Sequence, residues 1–268
     1  NLVQTSYGTP ALIHGGPFAN IANGCNSIIA TKLALSLSDY VVTEAGFGSD
    51  LGAEKFLDIK CQEANLKPEL CVVVATIRAL KLHGGADENN LECEDLESLK
   101  KGLPNLERHL NNMKKFGLPT ICNINIFSSD TKNELELLEN WLNEKGFKFA
   151  LNDAYSKGAE GAIDIAKLAV ETIDENNSSF HPLYTKDMKL ADKINLICKE
   201  IYGAKNVIYS EKALAQLNEY EEKYSDFYVC MAKTPLSFSD DPKIKGAPDN
   251  FDIHIKRINL SHGAKFIV

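Results

Sequence analysis

The chain has 268 residues, 44% of them hydrophobic, with a formal net charge of −8 and a pI near 5.3. A chain of this length can bury a substantial core and is long enough for two domains. It shows no basic stripe of the kind that binds nucleic acid and no apolar run long enough to cross a bilayer, so we expect neither partner.

The cysteines indicate a compartment. All seven occur singly, and no two stand at the spacing of a zinc or redox motif: Cys25, Cys61, Cys71, Cys93, Cys122, Cys198 and Cys230. An odd, scattered set suits a reducing environment, and the sequence contains no recognisable secretory signal. We therefore expect a cytoplasmic protein without a bound metal.

Residues 9–61 predict a βαβα unit with a glycine-rich turn after each strand. The apolar run at residues 11–13 stops on two glycines, which let bare backbone approach a ligand closely. The β-branched run at residues 40–43 is suited to a buried parallel strand, and residues 44–50 form the turn that follows. Ligands in open α/β sheets gather at such strand ends, so both turns are candidate binding loops.

The rest of the chain continues the alternation of strands and helices. Gly102 and Pro104 are expected to interrupt a helix at residues 92–116, and Gly117 to end it. Thr131 and Glu134 predict a capping box at the start of the next helix. Further strands are predicted at residues 70–76, 119–126, 147–151, 207–209, 227–231, 251–260 and 265–268. This order predicts an α/β fold with largely parallel sheets flanked by helices.

Several motifs allow two interpretations each. Residues 14–23 could line an anionic site with backbone amides and a neutral histidine, or form only a sharp strand exit. Phe47, flanked by glycines, is either an exposed ring that a ligand covers or a ring folded into the core. Asp240-Asp241-Pro242 is either a carboxylate pair for magnesium or an Asp-Pro turn. The P-loop pattern that cradles phosphates is absent.

Eight segments, in an order that chance does not explain, carry a resemblance to a known family. The chain resembles formate–tetrahydrofolate ligase, also called 10-formyltetrahydrofolate synthetase. The segments are HGGPFANIANG (14–24), VVTEAGFGSDLGAEKFLDIKC (41–61), TIRALKLHGG (76–85), GLPNLERH (102–109), NIFSSDT (125–131), KGAEGAIDIA (157–166), EIYGA (200–204) and CMAKTPLSFSDDP (230–242).

The resemblance implies a reaction in which ATP phosphorylates formate and the amine of tetrahydrofolate attacks the formyl phosphate, giving 10-formyltetrahydrofolate. It implies ATP with Mg²⁺, formate and tetrahydrofolate polyglutamate as substrates, a monovalent cation as a further candidate ligand, and no tightly bound cofactor. It also implies a homo-oligomer, a tetramer, and part of a P-loop-type multidomain ligase. Residues 1–126 would complete the ATP and formyl-phosphate domain, and residues 127–268 would form a C-terminal α/β domain with folate-pocket loops.

By the same resemblance, about half of the enzyme is present. The chain starts on Asn1 rather than methionine and stops in an apolar run, so we expect both ends to be cut. The family's phosphate-holding lysine would lie in the missing segment, and we predict that these 268 residues alone cannot use ATP. The alternative is a non-catalytic folate- or nucleotide-binding fragment, or a scaffold homologue.

The resemblance also assigns candidate site residues. The catalytic candidates are His14, Gly15, Gly16 and Asn20. The folate-binding candidates are the aromatic residues Phe127, Tyr155 and Phe47, because a flat pterin stacks on aromatic rings. The nucleotide- and phosphate-binding candidates are Glu44, Gly46, Gly48, Asp50 and Lys157. A further hypothesis gives the phosphate or the folate polyglutamate tail to Lys32, Lys55, Arg78 and Lys81.

Four positions depart from the family pattern. Asn23 stands where the family usually has histidine, which removes a titratable group. Tyr155 stands where tryptophan is usual and offers a smaller stacking face, so weaker folate binding is expected. Ile126 and Ser128 replace a basic residue and a proline that are common in bacterial members.

Overall fold

The computed structural model describes residues 1–13 and 25–268. In this part of the chain the strands are β1 (Leu2–Gln4), β2 (Pro10–Leu12), β3 (Cys71–Ala75), β4 (Thr120–Asn125), β5 (Lys148–Asn152), β6 (Asn206–Tyr209), β7 (Tyr228–Val229), β8 (Asp252–Ile255), β9 (Leu260–Ser261) and β10 (Phe266–Ile267). The α-helices are α1 (Ile28–Leu37), α2 (Gln62–Ala64), α3 (Ile77–His83), α4 (Leu96–Lys114), α5 (Lys132–Glu144), α6 (Ala154–Lys157), α7 (Ile163–Asp174), α8 (Leu190–Ile197) and α9 (Glu211–Tyr224).

The chain divides into two compact units. The first comprises Asn1–Leu66, Pro182–Pro235 and Asp249–Val268, and the second comprises Lys67–His181 and Leu236–Pro248. The boundary that the sequence suggested, after residue 126, falls inside the second unit, where β4 leads into the turn before α5. The expected functional domains therefore follow a different division from the compact units, and they stay a prediction.

The second unit is built on a parallel sheet in the order β3-β4-β5. One face of this sheet packs under α3, α4 and α5 in a core that includes Ala75, Leu103, Ile124 and Leu138. The β-branched and apolar residues of the strands supply this face at every second position. On β3, Val72 and Val74 point the other way and are 41% and 61% exposed. The α/β prediction of a parallel sheet flanked by helices is confirmed here.

The predicted break in α4 is wrong, because this helix packs closely against α3 where the two cross. α4 runs without interruption through Gly102 and Pro104. A Cβ at Gly102 would lie 1.9 Å from the carbonyl oxygen of Leu80, and one at Gly84 would lie 1.7 Å from that of Ser98. The two glycines thus let the backbones touch, and this tertiary packing outweighs the helix-breaking tendency of glycine and proline.

Two predicted helix-end features in the second unit are confirmed, the capping box that begins α5 and the glycine that follows α4. The Thr131 side chain caps the first turn of α5, and the Glu134 side chain returns a bond to the Thr131 backbone, which completes the capping box. Gly117 takes a φ of +71° just after α4, the left-handed conformation that ends helices.

The first unit departs from the predicted βαβα arrangement. β2 pairs with β1 in an antiparallel hairpin rather than in a parallel sheet. Residues 40–43 form no strand, and Val42 is 96% exposed. A strand exists only when a neighbour accepts its hydrogen bonds, and the described residues offer none here. The parallel pairings of this unit lie elsewhere, between β6 and β8 and between β7 and β10, while β10 and β9 run antiparallel.

Helix α1 exposes its apolar side. Ile29, Leu33 and Leu37, spaced four residues apart, are 81%, 45% and 70% exposed. The buried residue of this helix is Thr31, whose hydroxyl receives a 2.8 Å hydrogen bond from Lys60 Nζ. The burial is thus the reverse of that expected for a surface helix.

The segment from residue 49 to residue 64 is a continuous helical stretch with wide turns. It contains the π-helical turns Ser49–Ala53 and Phe56–Cys61 and ends in α2. Insertions of this kind are frequent at functional sites. The stretch also buries charged side chains: Asp50, Glu54, Lys55, Asp58 and Lys60. Among residues 1–13 and 25–268, no helix is both long and apolar enough to cross a membrane.

Candidate functional site

The carboxyl edge of the β3-β4-β5 sheet gathers the second unit's predicted site residues. Asn125 at the end of β4 lies opposite Asn152 at the end of β5. The Ile126 N–H donates to the Asn152 carbonyl oxygen at 3.0 Å, which extends the pairing by one residue. The segments carrying Phe127 and Tyr155 therefore leave neighbouring strands at the same edge, where α/β folds bind ligands.

The turn after β4 holds Phe127 firmly. Its N–H donates to Asp130 Oδ2 at 2.8 Å, and its carbonyl oxygen accepts from the Asp130 N–H at 3.0 Å. These two hydrogen bonds hold Asp130 in the turn, and partial burial raises the pKa of its carboxyl. The capping box of α5 follows directly, so the half-buried Phe127 ring is carried by an ordered loop.

Arg78, in the first turn of α3, reaches the same loop. Its guanidinium lies 4.8 Å from the centre of the Phe127 ring and donates to Ser129 Oγ at 3.1 Å and Glu92 Oε1 at 2.9 Å. A guanidinium in this position stacks favourably on the ring. Arg78 therefore places a positive charge beside the predicted folate-binding ring.

Tyr155 is almost fully exposed on the short helix α6. Its side chain is 91% exposed, although the backbone around it is fixed. The Ala154 N–H donates to Asn152 Oδ1 at 3.0 Å, and the Asp153 N–H donates to the Gly161 carbonyl oxygen at 3.0 Å. Packing gives no reason for an aromatic ring to stand out from an ordered turn, and an exposed ring of this kind suits contact with a ligand or a partner surface.

Lys157 lies two residues after Tyr155, at the end of α6. It is exposed and pairs with Asp153 at 3.2 Å. Hydrogen bonds from Ser156 and Lys157 lower the pKa of the Asp153 carboxyl. An exposed lysine in such a pair can exchange its partner for a phosphate at little cost.

The second glycine-rich turn belongs to the first unit. Glu44 is exposed, whereas Gly46 and Gly48 are half-buried. Phe47 has a φ of +60° and is 54% exposed, so it is the exposed ring of the two alternatives. The Asp50 carboxylate is buried and lies 2.7 Å from Lys233 Nζ.

The catalytic candidates belong to the first glycine-rich segment of the sequence. His14, Gly15, Gly16, Asn20 and the departing residue Asn23 lie outside the described residues. Their catalytic assignment stays a prediction from the resemblance.

Two of the four predicted phosphate or polyglutamate contacts are wrong. Lys55 is fully buried, with its ammonium 3.4 Å from the Leu51 carbonyl oxygen. Lys81 is buried in an ion pair with Glu134 at 2.8 Å. Lys32 is exposed and Arg78 partly so, and both keep their candidate role.

Magnesium at Asp240-Asp241-Pro242 finds no support in the geometry. The Lys243 N–H donates to Asp241 Oδ1 at 2.9 Å, which is the Asp-Pro turn of the two alternatives. In the part of the chain that the structure describes, no three His, Cys, Asp or Glu side chains are grouped to hold a metal ion.

The sequence as a whole matches one protein family. A sequence profile described as formate–tetrahydrofolate ligase covers residues 1–268. The chain belongs to the formate–tetrahydrofolate ligase family. It is 54% identical to the formate–tetrahydrofolate ligases of Staphylococcus aureus strains NCTC 8325 / PS 47, MSSA476 and Newman, with 100% of this chain and 48% of each relative covered. The chain thus spans about half the length of the curated relatives it matches.

In this member of the formate–tetrahydrofolate ligase family, one cluster of buried titratable side chains was not predicted from the sequence. Its unpredicted members are Lys233, Glu54 and Asp58, which are all buried in the first unit. The available signal was the helical spacing of Asp50, Glu54 and Asp58, which places three carboxyl groups along one side of a helical stretch.

Proposed function

We propose that this chain is the folate-binding portion of a formate–tetrahydrofolate ligase, and that the whole enzyme joins formate to tetrahydrofolate with ATP. The proposal rests on one observation in a chain of this family. The segments that carry Phe127 and Tyr155 leave the β4-β5 pair at the same edge. The alternative, a folate binder or scaffold without turnover, would use the same edge.

The two rings suit a pterin for physical reasons. An offset stack on an aromatic ring contributes roughly 0.5 to 1.5 kcal/mol beyond the area that it buries. Phe127 supplies a ring on a fixed turn, and Tyr155 supplies one that is 91% exposed. Arg78, beside Phe127 at 4.8 Å, would attract the carboxylates of the folate tail. Phe47, on a loop of the first unit, is a separate candidate ring.

The proposed chemistry has two steps. A formate oxygen attacks the γ-phosphorus of Mg²⁺-bound ATP, so that an O–P bond forms and ADP leaves. The amine of tetrahydrofolate then attacks the formyl carbon. The new C–N bond forms, the C–O bond to phosphate breaks, phosphate leaves with the electron pair, and the amine proton passes to a base or to water. His14, Gly15, Gly16 and Asn20 would line the formyl-phosphate site. The nucleotide- and phosphate-binding candidates are Glu44, Gly46 and Gly48 in the first unit and, separately, Lys157 in the second.

Uncovered apolar surface supports the proposal that residues 1–126 complete a larger domain. α1 exposes Ile29, Leu33 and Leu37, and β3 exposes Val72 and Val74. Parallel sheets are normally covered on both faces, and a soluble monomer rarely leaves such patches open. The other half of the ligase, represented in the relatives, would cover them. The resemblance adds a homotetramer and a monovalent cation to the proposal, and the scattered cysteines add a cytoplasmic location.

The aromatic pair can be tested in the full-length ligase. We expect Phe127→Ala and Tyr155→Ala each to raise the KM for tetrahydrofolate about three- to tenfold, as loss of one stack requires. The KM for ATP should stay within about twofold. Tyr7→Ala, which removes a 70% exposed ring from the β1–β2 turn, is the control. Equal effects on the two substrates, or none, would reject this folate site.

A further inference from the structure

The loop at residues 44–48 displays an aromatic ring from an unfavourable backbone. Phe47 has a φ of +60°, a region that bulky residues rarely occupy. Its ring is 54% exposed, so core packing does not explain the conformation. A strained residue persists only where its surroundings determine it, and such residues cluster at ligand-binding sites.

Backbone contacts fix this loop on one side. The Gly48 carbonyl oxygen accepts hydrogen bonds from the N–H groups of Leu51 and Gly52, at 3.0 and 3.1 Å. A Cβ at Gly52 would lie 1.9 Å from the carbonyl oxygen of Gly46. The first helical turn and the loop therefore touch backbone to backbone.

A buried ion pair holds the same turn from another segment. Asp50 Oδ2 lies 2.7 Å from Lys233 Nζ, and the two side chains are 5% and 4% exposed. The Lys233 ammonium also lies 4.9 Å from the centre of the Tyr202 ring and donates to the Thr234 carbonyl oxygen at 3.1 Å. Removing either partner would leave a buried charge uncompensated, so the pair ties the segment after β7 to Asp50, two residues after the loop.

We propose that Asp50 and Lys233 are positioning residues that hold the Phe47 ring in place for stacking against the folate. The assignment rests on the proposed function, because it takes folate as the ligand of Phe47. Asp50 thereby acts through the loop rather than by touching the nucleotide. Lys233, in the segment CMAKTPLSFSDDP, acquires a role that its position in the sequence did not suggest.

The purely structural explanation predicts something different. If the pair only stabilised the fold, its loss would resemble the loss of any buried lysine in the unit. Lys193 is a matched case: it is fully buried, and its ammonium donates to the carbonyl oxygens of Lys186, Ser225 and Phe227. None of these contacts involves the loop.

The experiment compares Lys233→Met with Lys193→Met in the full-length ligase. Hydrogen exchange is followed for the peptide covering residues 44–50, together with the kinetics for tetrahydrofolate at saturating ATP. We expect Lys233→Met to speed exchange of that peptide about tenfold or more and to raise the KM for tetrahydrofolate about three- to tenfold with kcat within about twofold. Lys193→Met should leave both quantities unchanged.

A second variant covers the case in which Lys233→Met fails to fold. Asp50→Asn combined with Lys233→Met removes both charges and so leaves none uncompensated. Unchanged exchange at residues 44–50 in this folded variant overturns the proposal. Faster exchange with an unchanged KM, accompanied by an unchanged KM in Phe47→Ala, supports the positioning role but rejects folate as the ligand of Phe47.

Discussion

At the residue scale, the buried carboxyls of the first unit set a pH dependence. Burial raises the pKa of Glu54 to about 7, and burial with the neighbouring Glu54 charge raises that of Asp58 well above its ordinary value. Lys55 acts in the opposite direction on Glu54, while Asp50 adds to the rise. At neutral pH the folded chain therefore holds a proton that the unfolded chain has released.

This predicts that stability falls as pH rises from 4.5 to about 7, because in that window the folded state binds more protons than the unfolded state. Glu54→Gln keeps the shape and never ionises. Above pH 7 the variant should exceed the original chain in unfolding free energy by about 1 to 3 kcal/mol, and below pH 4.5 the difference should vanish.

Urea unfolding of the 268-residue chain at several pH values measures this difference. The exposed Glu219→Gln is the control and should change stability little at any pH. A Glu54→Gln chain that is less stable than the original across the whole range would contradict the assignment of a protonated buried carboxyl.

Some residues of the candidate site could be predicted from the sequence and others could not. Motif resemblance pointed to Phe127 and Tyr155, and the structure places their segments at one sheet edge. The resemblance could not reveal that Arg78 stacks on Phe127, because that contact joins residues 49 positions apart in the sequence. Nor could it reveal that Lys55 and Lys81 are buried, since lysines are ordinarily exposed.

At the element scale, the α3–α4 crossing depends on the absence of a side chain. A Cβ at Gly102 would lie 1.9 Å from the Leu80 carbonyl oxygen, so the two helices would have to separate. We expect Gly102→Ala to lower the unfolding free energy by about 2 kcal/mol or more, despite the better helix propensity of alanine.

The matched control is Gly263→Ala, where a Cβ would meet nothing within 4 Å. This change should stay within about 0.5 kcal/mol. Urea midpoints of the two variants decide the matter. If both variants unfolded together with the original chain, close backbone packing would not be what keeps α4 continuous through Pro104.

Elements with a local signal were predictable from the sequence. The capping box of α5 and the positive φ of Gly117 depend on residues a few positions apart, and both are confirmed. Elements that depend on distant partners were not. Residues 40–43 have the composition of a strand without a neighbour to pair with, and α4 survives Gly102 and Pro104 because it packs on α3.

At the scale of the whole molecule, the exposed apolar side chains and the share of its relatives' length that the chain spans lead to the same conclusion. Among the described residues, apolar side chains stand uncovered on α1 and β3, and the chain spans 48% of each of its relatives. Burying apolar surface is the main favourable term in folding, so these faces are expected to be covered in the complete ligase. The proposed catalytic residues of the first glycine-rich turn would then meet the triphosphate within that larger assembly.

Product formation by the full-length ligase and by the 268-residue chain, each supplied with formate, tetrahydrofolate and Mg-ATP, decides whether the proposed reaction occurs. Chromatography would follow 10-formyltetrahydrofolate and ADP. We predict one ADP for each 10-formyltetrahydrofolate from the full-length protein, no product when any substrate is omitted, and none from the 268-residue chain. Tetrahydrofolate binding without product in the full-length protein, or ATP-dependent formylation by the 268 residues alone, would contradict this prediction.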